Sequence, residues 1–144
     1  MTQKTKETQE ERILHVDEED ETQEFVKKIF ERIEVEVDST YDYDKALEFL
    51  KGDGLRRYTG LVFSANLYEP LGKNGLDLAR YALSQGFDAD RYPIILIASK
   101  KDLKELRTQK EVREGKIICL PEYKRTEAPE INEIIALYCS RRGL

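Results

Sequence analysis

A run of acidic residues at positions 17–20 directly follows a short apolar run at positions 13–16. Carboxylate oxygens are the ligands that hard divalent cations such as Mg²⁺ prefer in proteins. The same acids also suit the start of a helix, because the helix dipole is positive at its N-terminus. Adjacent acids disfavour phosphate binding, which uses glycines and backbone N–H groups. This segment therefore indicates either a divalent-metal site or an acidic helix start.

A second group that could take part in chemistry is the amide of Asn66, which follows directly after the apolar run 61–65. Short, mainly apolar runs are typical of buried strands, and the loop signals Pro70, Gly72 and Gly75 follow. In open α/β sheets, ligands bind at the carboxyl ends of the strands. Asn66 is therefore predicted to lie at the edge where chemistry is done.

The remaining candidates favour structural roles. His15 is the only histidine and has no cysteine near it in the sequence, which favours a packed core residue over a metal ligand. Cys119 and Cys139 are isolated and are expected to be small buried hydrophobic residues rather than a redox pair. The sequence contains no Walker loop, no Gly-x-Ser-x-Gly elbow and no zinc-ligand spacing. We therefore expect no enzymatic activity.

The elements that position these groups alternate between strands and helices. The apolar and alternating runs predict five strands, at 13–16, 33–37, 61–65, 94–97 and 117–120. Helical spacing predicts one helix after each strand, with Asp20 and Gln23 as a capping pair for the first and Asp42 or Asp44 as the cap of the second. The weakest is a short or frayed helix in 100–113. This alternation favours a parallel sheet with helices on both faces.

Composition limits the class of partner. The 144 residues suit one domain, and 40% hydrophobic content suits a packed core. Residues 1–11 contain no aliphatic residue after Met1, so we expect a disordered polar tail followed by a domain at 12–144. The net charge of −5 argues against nucleic acid. The balance is −8 over residues 1–99 and +3 over 100–144, which indicates either ordinary solvated surface or a basic face for an acidic partner.

Residues 12–141 resemble the receiver domain of response regulators (CheY-like), because several sequence features occur in the same order. These features are an acid pair after strand one, a proline four residues after Asn66, a Gly-Leu pair at Gly75 entering helix three, and Pro121 closing strand five. The resemblance implies a flavodoxin-like, doubly wound α/β fold. Its five-stranded parallel sheet would have the order 2-1-3-4-5, with five helices.

The resemblance also implies a degenerate phosphorylation site. Receivers use two acids for Mg²⁺, and these match Asp17 and Glu18. Their phosphoacceptor Asp is matched by Asn66, whose amide cannot attack a phosphoryl group. Their Lys is matched by Leu120, which cannot pair with one. The hydroxyl that ends strand four is matched by Ala98, or by Ser99 if the match moves by one residue.

The expected family member is thus a pseudo-receiver with weak or absent Mg²⁺ binding and no other cofactor. We expect a cytoplasmic, phosphorylation-independent module of two-component signal transduction that is monomeric or weakly homodimeric. It would bind a protein such as a histidine kinase, and neither nucleic acid nor membrane. Receivers signal through helix four, strand five and helix five, where the corresponding residues are Lys100, Lys101, Lys104, Arg107, Ile117, Arg141 and Arg142. Ile117 replaces the aromatic residue that rotates on activation.

Two alternatives stay open. One is a receiver with residual divalent-metal binding and an unusual phosphoacceptor such as Ser64, Ser99 or Asp17. The other is a flavodoxin-like protein that binds a small ligand at the strand ends. The acids at 17–20 and the lack of a glycine loop argue against this second alternative.

Overall fold

The computed structural model describes residues 11–65, 74–121 and 128–142, without the side chains of 128–132 and 141–142. Five parallel strands form one sheet in the order β2-β1-β3-β4-β5, as predicted. The strands are β1 Arg12–Val16, β2 Glu36–Thr40, β3 Gly60–Ser64, β4 Ile94–Ala98 and β5 Ile118–Pro121. The flavodoxin-like, doubly wound fold is therefore confirmed.

The five predicted helices are present in the described segments. They are α1 Asp20–Glu31, α2 Tyr43–Leu50, α3 Gly75–Ser84, α4 Lys100–Leu106 and α6 Ala128–Arg142. Two short elements accompany them, a 3₁₀ helix at Gly52–Arg57 and the four-residue α5 at Lys110–Arg113. The weak segment 100–113 is thus two helices. None of the described helices is long and apolar enough to cross a membrane.

The core has two layers because side chains alternate between the faces of each strand. Leu14 and Val16 of β1 lie in the layer covered by α2, α3 and α4. Ile13, one residue away, lies in the layer covered by α1 and α6, where Phe30 and Tyr138 meet edge to face with ring centroids 5.4 Å apart. Burial on both faces explains why the central strands are almost fully apolar.

The predicted start of strand two at Ile33 is wrong. The segment 33–35 closes α1 instead: the Val35 N–H donates to the Phe30 carbonyl at 3.0 Å, and the Glu34 N–H to the Glu31 carbonyl at 3.0 Å. Glu34 takes the left-handed conformation with φ 62°. This is the Schellman arrangement that ends many helices. The strand therefore begins only at Glu36.

The caps differ from the prediction at one helix. Asp42 caps α2, because its carboxylate accepts from the Lys45 N–H at 2.8 Å. The predicted Asp20–Gln23 pair is wrong for α1: Glu19 is the N-cap residue, and no side chain caps it. The Gln23 side chain is instead buried, and its amide donates hydrogen bonds at the ends of β1 and β2.

Candidate functional site

The carboxyl end of β1 holds the first pair of predicted site residues. The Asp17 side chain is buried, and its Oδ1 accepts from the Glu19 N–H at 2.9 Å. Glu18 beside it is half-buried. Asp17 thus supports the turn into α1 through one of its carboxylate oxygens. Within residues 11–65, 74–121 and 128–142, no three His, Cys, Asp or Glu side chains come together as a potential metal site.

Gln23, which the sequence did not single out as a site residue, holds this edge of the sheet together. Its buried Nε2 donates to the Asp17 carbonyl at 2.8 Å and to the Thr40 carbonyl at 2.7 Å. The amide therefore ties the ends of β1 and β2 to the first turn of α1. The available signal was its spacing, because Gln23, Val26 and Phe30 form the buried stripe of the helix.

The carboxyl end of β3 presents a methyl group. The Ala65 N–H donates to the Ile97 carbonyl at 2.9 Å, so Ala65 extends the ladder in which Ser64 pairs with Ile97. This register places Ala65 beside Ala98, and both residues are buried. Asn66, the predicted match to the phosphoacceptor, lies outside the described residues. At this level of the sheet, the paired residues Ala65 and Ala98 therefore offer methyl groups and no nucleophile.

The start of α3 packs directly on the end of β3. The Gly75 N–H donates to the Ala65 carbonyl at 3.2 Å. A Cβ at Gly75 would lie 2.2 Å from the Ser64 carbonyl oxygen, so only glycine fits this close approach. Asn74 and Asp77 form a reciprocal capping box that fixes the first turn of the helix.

The hydroxyl that could have served at the end of β4 has another role. The Ser99 Oγ accepts from the Asp102 N–H at 3.2 Å and donates to Asp102 Oδ2 at 3.1 Å. Ser99 is thereby the N-cap of α4. Ala98, the residue matched directly, is buried and offers only a methyl group.

The end of β5 is aliphatic. Leu120 is 7% exposed and packs in the layer covered by α1 and α6. Ile117, the position without an aromatic ring, is 1% exposed and belongs to the opposite layer. Both side chains therefore serve the core. Cys119 between them is half-buried, and burial raises the pKa of its thiol although the Arg107 guanidinium acts in the opposite direction.

The predicted partner surface is exposed at the four cations that are described, whereas Ile117, which was predicted to belong to it, is only 1% exposed and packs in the core. Lys100, Lys101, Lys104 and Arg107 are all exposed on or next to α4. None of the four forms an ion pair with another part of the described chain. The backbones of Arg141 and Arg142 belong to α6, and their side chains lie outside the described set.

His15 is the core residue that the sequence predicted, with an unexpected environment. It is fully buried on the face of β1 that also carries Ile13. Neither ring nitrogen has a hydrogen-bond partner within the described segments. Burial lowers the pKa of His15 to about 4, so the ring is neutral at pH 7.

Comparison with known proteins shows similarity only at the level of structure. No protein-family model matches the sequence, and no curated protein matches it. An adenylate cyclase from Rhodopirellula baltica is 18% identical with a TM-score of 0.68, over 92% of this chain and 90% of that one. A receiver domain from a Francisella response regulator is 17% identical with a TM-score of 0.68, over 92% and 96%.

A third similar structure is a Thermotoga maritima response regulator in complex with Mg²⁺ and beryllofluoride. It is 20% identical, with a TM-score of 0.62 over 88% of this chain and 97% of that one. Identities this low establish the fold and nothing finer. The chain therefore has the fold of response-regulator receiver domains.

Proposed function

We propose that this chain is a receiver-like signalling module that acts by binding another protein and does not require phosphorylation. The observation that carries the proposal is the set of side chains at the carboxyl edge of a receiver fold. Leu120 stands where receivers keep a lysine, and its side chain is buried in the core. An aliphatic side chain offers no charge to a phosphoryl group.

The phosphoacceptor position supports the same conclusion by either of two matches. Counting back from Pro70 gives Asn66, whereas the strand register gives Ala65, which lies beside Ala98. An amide and a methyl group both lack the carboxylate nucleophile that forms an acyl phosphate. The proposal is therefore independent of which match is correct.

The metal half of the site is weakened rather than removed. Asp17 and Glu18 retain two carboxylates, but the third anionic ligand of a receiver site is replaced by an amide or a methyl group. Fewer anionic ligands weaken the binding of a hard cation. We expect Mg²⁺ affinity no tighter than millimolar, which a titration followed by the amide signals near Asp17 measures. Saturation well below millimolar would instead favour the alternative of a receiver with residual metal binding.

The proposed partner surface is the exposed basic side of α4. Lys101, Lys104 and Arg107 follow one another at three-residue spacing, and all three are exposed. Exposed charges of one sign attract an oppositely charged partner and mainly set the association rate and its salt dependence. The expected partner is therefore a signalling protein with an acidic docking surface.

A matched pair of charge reversals tests this surface. The variant Lys101→Glu/Lys104→Glu/Arg107→Glu changes the net charge from −5 to −11. The control variant reverses Lys27, Lys28 and Arg32, three exposed cations at the C-terminal end of α1, and has the same net charge. Partners are first captured with the immobilised wild-type domain. The rate at which these partners associate is then measured for the wild type, the α4 variant and the control variant.

The α4 variant should associate at least about tenfold more slowly than the control variant at low salt. Both variants should remain folded, because surface substitutions usually change stability by less than about 0.5 kcal/mol each. Equal association rates for the two variants would contradict the assignment of binding to α4.

A further inference from the structure

A bidentate ion pair joins α3 to the short helix α5. Arg80 of α3 donates from Nε to Glu111 Oε2 and from Nη2 to Glu111 Oε1, both at 3.0 Å. The same Nη2 also donates to Gln109 Oε1 at 2.8 Å. A planar guanidinium that meets a carboxylate with two hydrogen bonds has a more sharply defined geometry than a lysine contact has. Arg80, Gln109 and Glu111 together form the Arg80 clasp.

The clasp is a surface interaction. The side chains of Arg80 and Glu111 are 40% and 24% exposed. Their mutual hydrogen bonds raise the pKa of the Arg80 guanidinium and lower the pKa of the Glu111 carboxyl, so both groups are charged at pH 7. Ion pairs that are open to solvent contribute little to global stability. A role for the clasp is therefore expected in local order rather than in overall stability.

The segment that the clasp touches has few buried side chains of its own. Helix α4 buries only Leu103 and Leu106, and α5 buries no residue. By contrast, all five residues of β4, which precedes α4, are buried. Parts of a protein with few buried apolar contacts open more readily than its core. The chain between β4 and β5 therefore depends on polar contacts to stay in place.

The clasp holds this chain at two points. The Gln109 N–H donates to the Leu106 carbonyl at 3.0 Å, which connects the end of α4 to the clasp. The Glu111 carbonyl accepts from the Lys116 N–H at 2.9 Å and from the Ile117 N–H at 3.2 Å, where the chain turns back into β5. Arg80 thus anchors both the end of α4 and the entry to β5 on α3.

We infer that Arg80 is a positioning residue for the basic surface of α4. The inference rests on the proposed function, because that function uses this surface for docking. Lys101, Lys104 and Arg107 lie between the Ser99 cap at the start of α4 and the clasp beyond its end. A helix that is held at both ends presents its three cations in a fixed arrangement, and a preorganised surface loses less entropy on binding. The clasp acts through this arrangement and not by contact with the partner.

Hydrogen exchange measures whether the clasp holds the segment. Glu111→Ala removes the carboxylate that Arg80 binds, and the control Glu114→Ala removes an exposed carboxylate three residues further along. Each substitution removes one negative charge and changes the net charge from −5 to −4. Amides in the range 103–117 should exchange at least about fivefold faster in Glu111→Ala than in Glu114→Ala, whereas amides of β1 and β3 should agree within about twofold. Equal exchange in 103–117 would overturn the inference.

The association rate separates positioning from simple charge. Loss of a negative charge by itself speeds association with an acidic partner, and this effect is similar for the two variants. Positioning predicts the opposite result for Glu111→Ala. With the partners captured by the wild-type domain, this variant should associate about threefold more slowly than Glu114→Ala. Association of Glu111→Ala at the rate of Glu114→Ala or faster would overturn the inference.

A charge swap supplies a rescue. Arg80→Glu should speed exchange in 103–117 as Glu111→Ala does. The double variant Arg80→Glu/Glu111→Arg reverses the pair, keeps the net charge at −5, and should recover at least about half of the lost protection. Absence of any recovery would overturn the inference. Failure of the proposed function looks different, because the charge reversal on α4 would then associate as fast as its own control, whereas failure of this inference leaves that difference intact.

Discussion

Replacing His15 with leucine should remove an acid-sensitive weakness from the core. The imidazole is fully buried, and its nitrogens have no hydrogen-bond partner among the described residues. A charged imidazolium in this position would have no compensation for its lost hydration. The folded protein therefore holds the ring neutral, with a pKa of about 4 against 6.5 in the unfolded chain.

The direction and size of the effect follow from proton linkage. Between pH 6.5 and pH 4 the unfolded chain binds a proton at His15 and the folded chain does not, so stability falls as the pH falls. Each pKa unit corresponds to about 1.4 kcal/mol, which gives a total loss of about 3 kcal/mol, of which about 2 kcal/mol is lost by pH 5. Above pH 6.5 this group imposes no pH dependence. A loss of this size is a large share of the 5–15 kcal/mol that typical domains have.

The assay is urea unfolding of wild type and His15→Leu at pH 7.5, 6, 5 and 4.5. Carboxylates titrate in both proteins, so the difference between the two isolates His15. Near pH 7.5 the two should agree within about 1.5 kcal/mol, because the side chains are similar in volume. The difference should then move in favour of leucine by about 2 kcal/mol at pH 5. Parallel stability curves from pH 7.5 to 4.5 would refute the reasoning.

Two further substitutions test a buried hydrogen bond at one end of the sheet and a close backbone contact at the other. Tyr138→Phe removes a hydroxyl that forms a hydrogen bond with Thr59 Oγ1 at 2.7 Å. This substitution should lower the free energy of unfolding by about 1–3 kcal/mol, as measured by urea unfolding. An unchanged free energy of unfolding would mean that water replaces the hydrogen bond. Gly75→Ala places a Cβ 2.2 Å from the Ser64 carbonyl oxygen and should cost about 3 kcal/mol or more by thermal unfolding. The control Gly115→Ala has open space and only a left-handed backbone, so it should cost about 1–2 kcal/mol; equal costs would contradict the close approach at the start of α3.

The sequence was most informative where burial is complete. Strand β4 is a continuous apolar run and β3 is apolar up to Ser64, and their existence follows from the need to bury both faces. The end of α1 was misread for a physical reason. Ile33 and Val35 have the two-residue period of a strand, but they close a helix through Glu34, which takes a conformation usually reserved for glycine.

The site was predictable in composition and less so in geometry. That Asp17 would follow β1 and that Leu120 would precede the proline at the end of β5 could be predicted from the order of the sequence features. The hydrogen bonds of Gln23 to the ends of β1 and β2 could not, because they depend on which groups the fold leaves unpaired. The pairing of Ala65 with the β4 side is likewise a matter of strand register, which spacing from a distant proline does not determine.

The central claim is that signalling through this domain does not pass through an acyl phosphate, and intact-mass measurement tests it most directly. The wild-type protein is incubated with acetyl phosphate and Mg²⁺ beside a receiver that is known to be phosphorylated under the same conditions. With Leu120 in place of the lysine, and an amide or a methyl group in place of the nucleophile, the mass should stay unchanged while the control protein gains one phosphoryl group. A hydroxylamine-labile phosphoryl group on the wild-type protein would contradict the account.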